Sequence, residues 1–261
     1  ISTKNISDYK IIIQEDLVPL RIFYPKKISK LEKAIIYVPG KLWIVNGIKN
    51  YAEVACNLVK ETDTIIIALD YSFQEKNSYN QTVEKCYQTI KYLLKGLARL
   101  GMPKDNITLL GDSLGASIIA NANISSNECL EVKEILFYPA LNLLFEEREK
   151  YPSLDQNNKL DLLTLEHLKI FKNNYIEEKS YQSPLKLNNY STWPNTLIIT
   201  GDLDPLRDEG IALAKLLRKN NKKAKALNIK FASHGFLNSK DEESIEEAMK
   251  EIKKFIVKKE K

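Results

Sequence analysis

The stretch Ile107-Thr-Leu-Leu-Gly-Asp-Ser-Leu-Gly-Ala-Ser117 constrains the chain more than any other, because an apolar run ends in Gly-Asp-Ser-Leu-Gly and passes at once into a small-residue helical pattern. A strand that becomes a helix over so few residues demands a sharp bend. Serine at the apex of such a bend sits on strained backbone, and glycines two residues before and after it let strand and helix approach with no Cβ between them. The reading is a strand, an elbow that presents the Ser113 hydroxyl above a sheet edge, and a helix from Leu114 to Asn123. An ordinary glycine-serine turn has the same composition, so the surrounding pattern must decide.

A chain of 261 residues can bury about three quarters of its extended surface in one core. Residues 1–261 are therefore expected to form one domain. Cys56, Cys86 and Cys129 are odd in number and lie in separate apolar stretches, which suits small buried hydrophobes better than a disulfide framework or a metal site. They imply a reducing compartment or a disulfide-free exterior. No apolar run approaches the roughly 20 residues that span a bilayer, and Ile1-Ser-Thr-Lys-Asn5 has no hydrophobic signal core. The expectation is a soluble, cytoplasmic chain, with room left for a removed export signal because it starts without Met. The net charge of +5 and the Lys-rich tail raise the question of an anionic partner. Yet 34 acidic residues are interspersed among 39 basic ones, with no basic stripe interleaved with aromatics, so a nucleic-acid partner is not expected.

Taken in order, Lys10–Ile13 and Pro19–Tyr24 read as an antiparallel entry hairpin, and Ala34–Val38 as a buried strand. Ile48–Lys60 carries apolar residues at helical spacing, Thr64–Leu69 is a further buried strand, and Tyr79–Leu100 is the longest helix, stopped by Gly101 and Pro103. After the elbow come a strand at Glu134–Pro139, a strand at Thr196–Thr200 with a helix at Ile211–Leu217, a strand at Ala226–Phe231, and an amphipathic C-terminal helix opened by a capping box at Ser239–Glu242. Strands alternating with helices in this rhythm mean an α/β fold, with a mostly parallel central sheet and helices on both faces. Ligands then bind at the carboxyl ends of the strands. Residues 141–190 break the rhythm with charged, loop-like sequence and one amphipathic segment (Leu160, Leu163, His167, Leu168, Phe171), read as a short cap insertion over those ends.

A nucleophilic serine needs a base, and the base needs a third group to hold its tautomer. Of the two histidines, His167 lies within a helical pattern and reads as a cap residue, whereas His234 sits in a turn after the last strand, where a side chain is presented at the strand ends. The acid should fall between serine and histidine in the chain. Asp202, Asp204 and Asp208 all come after the strand at Thr196; Asp208 and Glu209 open a helix, where a carboxylate is favoured by the helix dipole, and spacing does not separate Asp202 from Asp204.

Gly111-Asp-Ser-Leu-Gly115, Asp70-Tyr71, Asp204-Pro-Leu-Arg-Asp-Glu-Gly210 and His234-Gly-Phe236 together resemble the hormone-sensitive-lipase-like branch of the α/β-hydrolases, a group of carboxylesterases, in register from about Val18 to Phe236. The resemblance implies Ser113 as nucleophile, Asp204 as triad acid, His234 as base, short-chain or aryl ester substrates, and neither metal nor cofactor. It also implies an oxyanion hole made by Leu114 and by the loop Pro39-Gly40-Lys41-Leu42 before Trp43, where the family has His-Gly-Gly-Gly before an aromatic. Proline has no N–H, so Gly40, Lys41 and Leu42 are the candidate donors, and the missing glycines imply weakened turnover. The N-terminal cap segment usual in the branch is short here, which implies a more open pocket. The leading expectation is a serine carboxylesterase acting on a small-molecule ester; the alternatives are an amidase such as an arylformamidase, and a binding protein that kept the fold but lost activity. Oligomeric state is not legible.

Overall fold

The computed structural model describes residues 6–13, 16–26, 32–40, 51–71, 78–125, 130–158 and 163–257. Expectations resting on Lys41, Leu42, Trp43, Ile48, Cys129 and Leu160 lie outside the described residues.

The strands are β1 (Ile6–Ile13), β2 (Asp16–Phe23), β3 (Ala34–Val38), β4 (Ile65–Leu69), β5 (Ile107–Asp112), β6 (Lys133–Phe137), β7 (Thr196–Gly201) and β8 (Ala224–Ile229). The helices are α1 (Tyr51–Thr62), α2 (Ser78–Arg99), α3 (Leu114–Ser125), α4 (Ser153–Gln156), α5 (Leu165–Tyr175), α6 (Arg207–Lys219) and α7 (Glu242–Val257). The strands form one sheet in the order β1-β2-β4-β3-β5-β6-β7-β8. β1 and β2 form the expected antiparallel hairpin, β2 meets β4 antiparallel, and every pairing from β4 to β8 is parallel.

The central strands are apolar at nearly every position because both sheet faces are covered. Side-chain alternation splits them: Ile36, Val38 and Leu109 pack toward α2, α3 and α6, while Ile35, Tyr37 and Leu110 pack toward α1 and α7. β5 lies at the middle of the sheet, so the elbow at its carboxyl end is flanked by the ends of β3 and β6.

Most element ends differ from the sequence reading by a few residues; β1 and β2, for example, begin at Ile6 and Asp16 where Lys10 and Pro19 are expected. α6 begins at Arg207, four residues before the apolar pattern at Ile211, and Asp208 and Glu209 open it as expected. β8 ends at Ile229, and Phe231 stands exposed at φ 60° in the turn beyond it. α7 is capped by Asp241, whose Oδ1 accepts the Ser244 N–H at 3.1 Å, while Ser239 Oγ accepts from Asp241 N–H instead of opening a capping box.

Residues 141–190 are not an outlying flap. Leu154, Leu165, Leu168, Phe171, Tyr181 and Tyr190 join the same core as α2 and α3, with Tyr79 of α2 set edge-on to Phe171 at 6.4 Å and tilted against Tyr181 at 5.8 Å. The two roots meet at Leu141, whose carbonyl accepts Tyr181 O–H at 2.9 Å and Ser183 O–H at 2.6 Å.

At the opposite, amino end of the sheet, Glu134 is fully buried, its carboxyl accepting Trp193 Nε1–H at 2.6 Å, Thr196 O–H at 2.8 Å and Asn123 Nδ2–H at 2.8 Å. Burial outweighs these donors and pushes the carboxyl up from 4.5 to about 7. Asn123 Oδ1 is buried without a hydrogen-bond partner. A carboxyl raised on folding stabilises fully below its unfolded value of 4.5, and that contribution is lost as pH rises through about 7. Glu134→Gln is therefore expected to lessen the fall in Tm between pH 6 and pH 8, read by thermal unfolding at both; a variant with the parent's pH dependence would contradict the assignment.

Candidate active site

The elbow is built by close packing at two glycines. A Cβ on Gly115 would lie 2.0 Å from the Val38 carbonyl oxygen, and one on Gly111 would lie 2.6 Å from the Ala116 nitrogen, so α3 rests directly on β3 and folds tightly back on its own strand. Ser113 at the apex takes φ 52°, a left-handed conformation uncommon for a side-chain-bearing residue, and its N–H is tied to the Phe137 carbonyl at 2.9 Å.

The turn after β8 brings His234 to this apex. Ser113 Oγ stands 2.9 Å from His234 Nε2, and His234 Nδ1 stands 3.1 and 3.0 Å from the two oxygens of Asp204. A carboxylate only accepts, so Nδ1 carries the proton and Nε2 turns its lone pair to the serine hydroxyl. Gly235 in the left-handed region, φ 74°, lets the chain turn away behind the imidazole. One side of the ring is walled by Tyr138, with centroids 4.8 Å apart, and Tyr138 itself holds φ 33°.

Asp204 is fully buried, and its Oδ1 also accepts the Leu206 N–H at 2.8 Å. Its backbone carbonyl is held by Asn157 Nδ2 at 3.1 Å. Asp202, the alternative that spacing left open, points elsewhere: its side chain is 38% exposed and faces Arg207 and Asn228. Asp208 accepts Ser153 N–H at 2.7 Å and pairs with Arg207. His167 caps α5, its Nδ1 facing Thr164 N–H at 3.4 Å, and is not at the site.

Two buried carboxyls close to this arrangement are not singled out as site residues by the sequence. Glu209 Oε2 accepts the N–H groups of Leu141 and Asn142 at 2.6 and 2.9 Å, tying α6 to the root of the 141–190 segment; burial pushes it up to about 7. Asp112 Oδ1 accepts Tyr37 O–H at 2.6 Å and Gly40 N–H at 2.8 Å. The signal for Asp112 is a charge set between a strand and an elbow that must both be buried, since such a group has to find donors.

Of the four expected oxyanion donors, Leu114 is the first residue of α3, where an N–H has no intrahelical acceptor. Gly40 gives its N–H to Asp112, and Lys41 and Leu42 lie outside the described residues. Among the described residues, no group of three or more His, Cys, Asp or Glu is placed to hold a metal ion, and no helix is long and apolar enough to cross a membrane.

A strained serine at a strand–helix elbow, hydrogen-bonded to a histidine that is in turn held by a buried aspartate, is an arrangement suited to acyl transfer. A family profile described as "alpha/beta hydrolase fold" matches residues 35–238, and the chain belongs to that family. Several of the relatives it matches are named as esterases. An arylesterase of Saccharolobus solfataricus is 24% identical over 239 residues, 89% of this chain and 77% of that protein. The carboxylesterase NlhH of Mycobacterium tuberculosis is 22% identical over 238 residues, 85% and 72% of the two chains. Among solved structures, the hyperthermophilic esterase of Pyrobaculum calidifontis superposes with TM-score 0.83 at 25% identity, covering 97% of this chain and 83% of that one. The thermostable carboxylesterase EstE1, from a metagenomic library, gives 0.81 at 25% identity, covering 97% and 90%. These likenesses support the hormone-sensitive-lipase-like branch that the motifs resemble.

The geometry yields a ranking of the two aspartates. Asp204→Asn should lower kcat by roughly 10³- to 10⁴-fold, because an amide can favour the wrong imidazole tautomer, while Asp202→Asn should change it by less than about tenfold. Steady-state kinetics on a simple aryl ester decides, and the reverse ranking would transfer the role to Asp202.

Proposed function

We propose that the protein is a serine carboxylesterase that hydrolyses short-chain or aryl carboxylic esters through an acyl-enzyme. The observation that carries this reading is the relay from Ser113 Oγ to His234 Nε2 at 2.9 Å, continued from His234 Nδ1 to Asp204 at 3.0 Å. In this mechanism Ser113 Oγ attacks the ester carbonyl as His234 takes its proton. The imidazolium formed is stabilised by the Asp204 carboxylate and returns the proton to the leaving alcohol. Water then repeats the sequence, releasing the acid and restoring Ser113. The developing oxyanion is met by the N–H of Leu114 and by the loop that begins at Pro39.

The esterase names of the relatives support an ester substrate over the amidase alternative. We read residues 141–190 as the cap. A cap packed into the core and rooted at Leu141 suits a small substrate better than a lipid surface, which calls for an exposed amphipathic lid. Cys56 and Cys86 form no disulfide among the described residues, in keeping with a cytoplasmic protein.

Three measurements test the reading. A fluorophosphonate probe should label the protein, and Ser113→Ala should remove both labelling and p-nitrophenyl acetate turnover, by on the order of 10⁴-fold or more, in a protein that stays folded. An unlabelled parent, or a folded alanine variant that keeps its turnover, would sink the proposal. kcat/KM should rise with pH along a limb that reports deprotonation of His234, which must be neutral to accept the serine proton; His167→Ala should leave that limb in place. Across an acyl series, esters of about two to six carbons should outrank those of twelve or more, and a formamide tested beside them should be the poorer substrate.

A further inference from the structure

Asp112 is a buried carboxylate beside the nucleophile that takes no part in the triad. Its Oδ1 accepts two donors, Tyr37 O–H at 2.6 Å and Gly40 N–H at 2.8 Å. Gly40 lies so close that a Cβ there would fall 2.6 Å from the Asp112 carbonyl oxygen, 2.7 Å from Asp112 Oδ2 and 3.0 Å from Ser113 Cβ. On the other side, Tyr71 O–H donates to the Pro39 carbonyl at 2.6 Å.

Sheet order gives these contacts a common sense. β3 runs between β4 and β5, and Pro39 and Gly40 are the residues that leave its carboxyl end. Tyr71 comes from just beyond β4, and Asp112 is the last residue of β5. Each neighbour of β3 therefore sends one side chain inward to grip the same two residues.

We infer that Asp112 is a positioning residue for oxyanion stabilisation: by holding the Gly40 N–H against the elbow it fixes the root of the oxyanion loop relative to Ser113, and it withdraws Gly40 from the oxyanion donors. This deepens the serine-esterase reading and rests on it. The bond to the carboxylate is charge-assisted and desolvated, so it is among the stronger hydrogen bonds a backbone N–H can make. Burial raises the Asp112 carboxyl above its ordinary value, while the hydrogen bonds from Tyr37 and Gly40 and the nearby His234 pull it back down. Tyr138 also faces Asp112, its phenol raised by burial first and then by the charges of Asp112 and Asp204.

The test separates the tether from a merely structural role with a transition-state analogue. A trifluoromethyl ketone adds to Ser113: the Oγ–C bond forms, the serine proton passes to His234, and the ketone oxygen becomes an oxyanion in the hole. Asp112→Ala should lower kcat roughly 10²-fold, within the range seen for a lost oxyanion donor, weaken the ketone by the same factor, and leave KM within about threefold. Asp112→Asn keeps an acceptor oxygen for Gly40 and should recover at least tenfold of that loss in both readouts. An alanine variant within threefold of the parent in kcat and ketone affinity overturns the inference. So does an asparagine variant as impaired as alanine, which would assign the effect to charge and not to the tether. If the alanine variant does not fold, Tyr71→Phe loosens the same root from the other side and should lower kcat and ketone affinity together; no change there overturns the inference as well. Fluorophosphonate labelling of the parent keeps the two readings apart: an unlabelled parent sinks both, whereas a labelled parent with an insensitive Asp112 sinks this one alone.

Discussion

The contact on which the site depends is the one between α3 and the end of β3, where the only thing separating Gly115 from the Val38 carbonyl is the absence of a Cβ. That approach sets where α3 begins, and with it the bend that forces Ser113 to φ 52°. A strained serine persists only if its surroundings over-determine it. Here they do so from two sides: β6 holds its N–H through the Phe137 carbonyl, and Gly111 lets the helix close over the strand it has just left. The position of Ser113 is thus a property of the sheet's middle three strands.

Around that fixed point, buried carboxylates act as struts between segments that have no strand pairing to hold them. Asp204 ties the loop after β7 to the turn after β8 through His234, and caps its own loop through Leu206. Glu209 ties α6 to the root of the cap through Leu141 and Asn142. Asp112 ties the end of β5 to the loop after β3. Each accepts backbone N–H groups from a loop, which is how a desolvated carboxylate recovers the cost of burial while fixing a segment that packing alone would leave loose.

Much of this is legible in the sequence, and the rest is hidden for definite reasons. The β–α alternation, the elbow and His234 can be read because periodicity, glycine placement and a turn position are local signals. The choice between Asp202 and Asp204 cannot be made from spacing, since both sit in one short loop and only the return of the chain after β8 selects between them. The apolar pattern of α6 begins only at Ile211, and Asp208 and Glu209 are legible as helix-opening carboxylates but not as the groups that accept backbone N–H bonds from Ser153, Leu141 and Asn142, which lie far off in the chain. Periodicity puts the end of β8 late because Phe231 has strand-like chemistry yet takes φ 60°, which no propensity reveals. The 141–190 segment looks loop-like because apolar residues such as Tyr151, Leu154, Tyr181 and Tyr190, all four buried, obey no single period.

The loop after β3 departs from the glycine-rich pattern of the branch, and the structure explains the one glycine it keeps. Of the three glycine positions in the pattern, this chain keeps only the one at Gly40. It is the position at which a Cβ would strike the elbow's own backbone and the Asp112 carboxylate, so glycine there answers a demand for space that no rotamer change could relieve. Positions 41 and 42 come after the N–H already committed to Asp112. The structure thus accounts for the glycine at position 40, where Asp112 and Tyr71 grip the root of the loop from the two strands that flank β3.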